Sequence, residues 1–444
     1  MDDIKNFTEG TFHADCPLIE LRREGENPLS VKGSGYIAQD DNGKLTFKIY
    51  VDNSGVTAIN DDILRPRPIG KVIPRESYIQ FKASSLSGPI WVSSTPVVNI
   101  RTGFDSGVAY GSLWEITKID GRGDQEKDFV KLTMREKLDF PESAFTKTTV
   151  ERLGDSHTSF HRNSAKFSVN DEEFMLVKNE ELTELHCTFQ KGGVQEFRHV
   201  RIREALQFAL GQLIEPCVIQ ISANSVKQTA LRSFNIQQNK TFSQQPPLSF
   251  RSHTFQADKV YEIAKAYYFS ILPHKEEHWH RLSSHLYLLI EAGSVALEFK
   301  VLGMSIAAEG IADTCFRNLA LPHKTFIDEI DDLLGTTLKK LELSQSLTSR
   351  LEGALGAMKS ARNSDRLRSF VEQEKLGKEV FESWKALRNT AAHGGKIDLE
   401  KIDEVFEDLM SVLFLCYAMV LSHIGYAGPR TNYSKDGHPE YTPR

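Results

Sequence analysis

From about residue 10 to residue 200, apolar and polar positions alternate in short runs separated by Gly, Pro, Asn and Asp. A period of two predicts half-buried strands. Expected strands cover residues 36–39 and 45–51, on either side of Asn42-Gly43, a dipeptide suited to the positive φ angles of a two-residue hairpin turn. Further strands are expected at 77–82, 90–93, 111–119, 129–136, 166–169, 185–189 and 218–222. One helix interrupts them at 201–214, with Ile202, Leu206, Ala209, Leu210 and Leu213 along one stripe.

Between residues 234 and 252 the chain is rich in Gln, Asn, Ser and Pro, with Pro246-Pro247 at the centre, and apolar periodicity vanishes. A helical period takes over beyond it, predicting helices at 257–272, 279–300, 302–319, 325–341, 347–368, 370–393 and 399–423. The expected architecture is α+β and multidomain. A β-rich antiparallel sandwich or barrel fills residues 1–235, a flexible linker 236–254, and an all-α bundle 255–444, whose last stretch, 426–444, is polar and aperiodic.

Composition narrows the class. The 444 residues carry 54 Lys and Arg against 60 Asp and Glu, a net charge of −6, so nucleic acid is not coated by bulk charge and any contact needs a local basic patch. Hydrophobic residues at 40% and charged residues at 26% exclude a disordered or fibrous chain. Five cysteines without a C-x-x-C pair suit free thiols in a reducing cytoplasm. The acidic opening Met1-Asp2-Asp3 lacks the apolar segment of an export signal, and the longest apolar run, 409–421, is shorter than the ~20 residues that span a bilayer.

The string Trp384-Lys385-Ala386-Leu387-Arg388-Asn389-Thr390-Ala391-Ala392-His393-Gly394-Gly395 concentrates chemistry at a helix end. The two glycines stop the helix, placing His393 in its last turn, where the macrodipole favours an imidazolium. Asn389 and His393 share a face, whereas Arg388 lies about 140° from His393. The arginine either reaches round its helix or meets the histidine of a second subunit.

Arg388 followed by Asn389, with His393 and Gly394 beyond, resembles the signature of the HEPN superfamily. The segment Ile424-Gly425-Tyr426-Ala427-Gly428-Pro429-Arg430-Thr431-Asn432-Tyr433-Ser434 is similar to the tail of ApeA-like anti-phage HEPN proteins, and the β-rich half corresponds in placement to their N-terminal domain. The resemblance implies metal-independent RNA cleavage, of tRNA for example, by a homodimer or higher homo-oligomer in abortive infection, without a cofactor. It also implies that Arg388, Asn389 and His393 are catalytic. The residue types suit that chemistry, since a histidine can take the proton of the 2′-hydroxyl and an arginine can hydrogen-bond the charge that gathers on phosphorus. Two-fold pairing is expected through helix 399–423 and the helix bearing Glu309.

Glu309 projects from an apolar face that includes Ile306, Ala312 and Phe316, and a carboxylate there needs a partner. It is the candidate for a salt bridge orienting Arg388 or His393, with Glu291 as a weaker alternative and a solvated glutamate as the plain reading. Lys359, Arg362 and Arg366 recur at i, i+3 and i+7 as a candidate RNA-binding stripe, unless they form an ordinary solvated face. His274, His278, His280 and His285 would approach metal-ligand spacing if Pro273 opened a helix, but no second cluster completes a site, and no metal is expected. Gly33-Ser34-Gly35 reads as a bend at a strand edge. A phosphate-binding P-loop and a nucleophile elbow are both lacking.

Two functional readings remain: an anti-phage ribonuclease whose β-rich half senses a phage-derived trigger, and a non-catalytic HEPN interaction module or toxin–antitoxin partner.

Overall fold

Among the described residues, fifteen strands hydrogen-bond side by side into one antiparallel sheet, and most of the helices follow it along the chain. The computed structural model describes residues 2–24, 28–64, 78–93, 98–102, 107–120, 127–152, 155–179, 181–190, 192–235, 242–250, 257–322, 324–341, 343–392, 397 and 399–443. Its contacts divide into two units, Met1–His199 with Ile214–Thr241, and Val200–Leu213 with Phe242–Arg444. The fold is α+β, as the change of period implies.

The first unit opens with α1 (Asp2–Thr8) and β1 (His13–Arg23), β2 (Leu29–Gln39) and β3 (Leu45–Tyr50), then α2 (Asn53–Leu64). Next come β4 (Gln80–Ser84), β5 (Ile90–Ser93), β6 (Val98–Thr102), β7 (Val108–Leu113), β8 (Glu115–Asp120) and β9 (Asp128–Met134). β10 (Ala144–Arg152), β11 (Asp155–Val169), β12 (Glu172–Lys178), β13 (Thr183–Phe189), β14 (Val218–Ala223) and β15 (Val226–Arg232) complete it. The strands lie in the order β10-β11-β12-β13-β9-β14-β15-β8-β5-β4-β1-β2-β3-β7-β6, with β10 and β6 as its ends among the described residues. Alternation sets the core: Leu45, Phe47 and Ile49 point inward from β3 and pack with Phe7, Phe12, Phe81 and Trp91.

Several local expectations change. At the β2–β3 hairpin Gln39 pairs with Leu45, the Gly43 amide donates to the Asp40 carbonyl at 2.9 Å, and Gly43 takes φ +87° while Asn42 does not turn positive. The loop is therefore a type I turn closed by a left-handed glycine, not the expected two-residue turn. Asp40 Oδ1 accepts from the Asn42 and Lys44 amides, which selects this form. Gly33 and Gly35 sit inside β2 rather than at a bend, both paired with β1 and Gly35 also with β3: a Cβ on either would come within 1.9 Å of a β3 carbonyl oxygen.

The single strand expected at 111–119 is two, because the chain leaves β3 for β15 and β5 at exposed Trp114. The helix at 201–214 is not alone in the first half. Asp52 starts α2 by accepting from the Gly55 amide and the Ser54 hydroxyl, and α1 is too short to display a period. β10 and the first half of β11 escaped notice because Thr, Ser and His break the apolar alternation of their sequence; a Thr146 to Asn163 hydrogen bond of 2.6 Å joins the two strands.

The second unit begins with a segment borrowed from the first half of the chain. Most of α3 (Arg198–Leu210) belongs here, so the domain limits expected at 235 and 255 are displaced. The Phe208 ring lies 4.8 Å from that of Tyr267 and 6.0 Å from that of Tyr417. Arg201, 1% exposed, donates to the carbonyls of Glu276 and His278 and pairs with Glu204 at 3.2 Å, while Glu204 accepts from the His280 amide. Burial works against both charges, pushing Glu204 up to about 7 and Arg201 down.

The 242–250 stretch is likewise docked rather than a free tether. The Leu213 amide donates to the Phe242 carbonyl, Tyr433 Oη to the Pro246 carbonyl and the Thr431 amide to the Pro247 carbonyl. The rest of the expected linker, 236–241 and 251–256, lies outside the described residues.

The remaining helices are α4 (Ala257–Ile271), α5 (Arg281–Ala292), α6 (Leu297–Cys315) and α7 (Lys324–Asp332), which passes through a π-helical turn, Leu333–Thr337, into α8 (Leu338–Lys340). α9 (Gln345–Met358), α10 (Asn363–Gln373), α11 (Lys378–Ala392) and α12 (Ile402–His423) follow. With 22 residues, α12 has the length and hydropathy to cross a membrane, contrary to the estimate from its apolar run. It serves instead as core: except for half-buried Met410, every residue from Leu409 to Leu421 is buried. All five cysteines are free. Tail strands β16 (Arg430–Thr431) and β17 (Glu440–Tyr441) pair beside it.

Since Phe208 wedges between two buried tyrosines at 2% exposure, Phe208→Ala should cost the helical unit roughly 3–5 kcal/mol. A urea titration followed by far-UV circular dichroism, whose helical transition should move to lower denaturant, checks this.

Candidate active site

α6 packs against α5, α10, α11 and α12. Two glycines permit the closest of these approaches: a Cβ on Gly303 would lie 2.9 Å from the Ala292 side chain, and one on Gly310 would lie 2.3 Å from the His285 ring. Glu309 and Asp313, one turn apart on α6, are thereby presented to the neighbouring helices.

α11 turns Val380, Phe381, Trp384 and Leu387 inward, so Arg388 emerges at the border of its buried face and Asn389 on the exposed side. Arg388 Nε donates to Glu309 Oε1 at 2.6 Å, with the two side chains 44% and 26% exposed. Among the described residues, no other hydrogen bond engages the two terminal guanidinium nitrogens, which leaves that edge open to solvent. The carboxylate expected to need a partner has one, and it is the motif arginine. His393, Gly394 and Gly395 lie outside the described residues, which reach Ala392 at the end of α11.

Asp313 holds two further arginines. Arg281, first residue of α5, donates to its Oδ2 at 2.6 Å, and Arg366 of α10 approaches its Oδ1 at 3.3 Å while donating to Asn363 Oδ1 at 2.7 Å. Arg281 is 57% exposed and Arg366 only 9%. Sequence reasoning missed Arg281 and Asp313; the available signal was an acidic pair spaced i, i+4 on α6.

The stripe of Lys359, Arg362 and Arg366 does not exist as one helix face. α9 ends at Met358 and α10 begins at Asn363, with Arg362 extended at φ −78°, ψ 153° and Ala361 buried between them. Lys359 is paired with Asp331, Arg362 is exposed, and Arg366 is buried against Asp313. Glu291 accepts from Tyr287 Oη at 2.7 Å on its own helix, and among the described residues it makes no bond to Arg388.

The histidines occupy a loop and a helix start, because Pro273 does not open a helix. His280 caps α5, its Nδ1 accepting from the Leu282 amide, and its ring meets that of His274 edge-on at 5.3 Å. Burial, with His274, Arg201 and His423 nearby, pushes His280 down to about 4. His285 is also lowered, by burial and then by Arg281. Among the described residues, no group of three or more His, Cys, Asp or Glu is placed to hold a metal ion.

No family model, curated protein or solved structure matches the chain.

The cap on α5 generates a pH dependence. A histidine whose folded pKa is depressed stabilises the fold fully above its ordinary value of about 6.5, and that contribution is lost as pH falls toward 4, because the unfolded chain binds the proton first. Protonation of Nδ1 also removes the acceptor of the cap. Melting temperature should therefore drop between pH 6.5 and 4, and His280→Asn, which can cap without titrating, should flatten that part of the profile.

Proposed function

We propose that this protein is a metal-independent endoribonuclease of bacterial anti-phage defence, acting in the cytoplasm as a homodimer or larger homo-oligomer on RNA such as tRNA. The observation that carries the reading is the Arg388–Glu309 pair: a carboxylate from α6 fixes the Nε edge of the motif guanidinium and leaves its terminal donors facing solvent. A guanidinium held this way is aimed before substrate arrives, which suits recognition of a phosphate by two parallel hydrogen bonds.

The 2′-hydroxyl of RNA attacks the adjacent phosphorus, giving up its proton to the imidazole of His393. Arg388 donates to the nonbridging oxygens as negative charge collects there, and Asn389, on the same helix end, supplies a neutral donor. The bond to the 5′ oxygen then breaks, that oxygen takes a proton from the imidazolium of a second copy of the motif, and a cyclic phosphate is left. DNA lacks the nucleophile and is spared. No step requires a metal, since the arginine supplies the positive charge.

A second copy has a surface to meet. Phe299, Leu302 and Ile306 of α6 are 67%, 41% and 48% exposed, and Leu302 and Ile306 continue the stripe that carries Glu309 and Asp313. The buried run of α12, expected as a second pairing surface, is already used within the chain. The β-rich unit, which the sequence endows with no catalytic constellation, is assigned the response to a phage-derived trigger.

Incubation of the purified protein with total tRNA and mRNA in EDTA tests the reading. His393→Ala and Arg388→Ala should each lower cleavage by at least ~10²-fold, and Glu309→Gln by about tenfold, with circular dichroism unchanged. Undiminished cleavage by either of the first two variants would sink the assignment of the catalytic residues, and a wild type inert on every RNA would leave the protein as a non-catalytic interaction module.

A further inference from the structure

Arg281 and Asp313 occupy the wrong ends of their helices for stability. Arg281 is the first residue of α5, where the macrodipole is positive, and Asp313 lies in the last turn of α6, where it is negative. Each placement opposes the macrodipole at its helix end. Helix formation therefore gives no reason for a cation and an anion at these two positions, and a partly exposed salt bridge returns little.

The geometry repeats that of the motif. Glu309 and Asp313 stand one turn apart on α6, a rise of about 6 Å, and each holds a substantially exposed guanidinium from a neighbouring helix: Arg388 at 44% and Arg281 at 57%. A step of that size is the order of the distance between successive phosphates in an extended single strand. The Asp313 carboxylate also receives buried Arg366, whose Nε has no partner among the described residues. Three guanidiniums thus face two carboxylates, leaving one positive charge of this cluster uncompensated. The exposed member is the one that can offer its remaining donors outward.

We infer that Arg281 binds the phosphate next to the scissile one, so that α6 lays an RNA strand along two tethered arginines and Asp313 aims the second as Glu309 aims the first. The inference rests on the ribonuclease reading and adds to it a substrate-positioning residue outside the Arg388, Asn389 and His393 motif. Arg281 does not touch the reacting atoms in this scheme. Its loss should weaken binding and leave the chemical step alone.

The test uses the full-length protein and a fluorescent single-stranded RNA, with binding measured by anisotropy on a His393→Ala background at several salt concentrations and cleavage kinetics measured with His393 intact. Arg281→Ala should weaken binding about tenfold and flatten the plot of log affinity against log salt by close to one phosphate contact. It should raise KM while kcat stays within about twofold, and Arg281→Lys should restore the salt slope. A purely structural role for the Arg281–Asp313 pair predicts instead a lower melting temperature with an unchanged salt slope, and that result overturns the inference. So does unchanged affinity in Arg281→Ala while Arg388→Ala abolishes cleavage, an outcome that spares the ribonuclease reading. If wild-type protein neither binds nor cuts RNA, the reading fails and takes the inference with it.

Discussion

The close approach of α5 and α6 is the constraint on which the helical unit turns. At Gly310 the space a methyl group would need is filled by the His285 ring, and at Gly303 the Ala292 side chain leaves almost as little. Seated this deeply, α6 meets four other helices, and arginines from α5, α10 and α11 converge on two of its carboxylates. A side chain on Gly310 would push α5 outward and lengthen the Arg281–Asp313 contact, because packed interiors transmit even small volume changes. The polar cluster is thus set by backbone packing, and its members come from chain positions as far apart as 281 and 388.

How much of this was legible depended on whether the controlling interaction was local. Alternation located most strands near the core, and the helical period located nearly every helix of the second half, since both signals come from one face being buried. Glu309 could be singled out because a carboxylate beside Ile306 demands a partner. Arg281 and Asp313 could not, since each alone looks like ordinary surface charge and they are brought together only by packing. The stripe from Lys359 to Arg366 misled for a related reason. Two short amphipathic helices joined without Gly or Pro display the same apolar rhythm as one long helix, and only the extended backbone at Arg362 separates them.

The tail shows the opposite case, a segment with no rhythm that is nevertheless firmly held. Arg430 is 1% exposed, donates to the Ala418 carbonyl at 3.2 Å, and sits over the rings of Phe414 and Tyr441. Burial lowers its pKa, with the Glu374 carboxylate 3.7 Å away as its counter-charge. Tyr433 and Thr431 meanwhile clamp the Pro246-Pro247 stretch. Polar residues in such a segment act as fasteners, which no hydrophobic period can reveal.

The strand order carries a consequence for synthesis on the ribosome. β14 and β15 lie between β9 and β8 in the sheet, yet they are translated after every other strand of that sheet and after α3. Until this hairpin emerges, the nascent chain holds two separate sheets, each ending in an unpaired edge of the kind that invites wrong partners. The last hairpin acts as a keystone, and a ribosome stalled before residue 218 would display two half-finished sheets to the chaperones waiting at the exit tunnel.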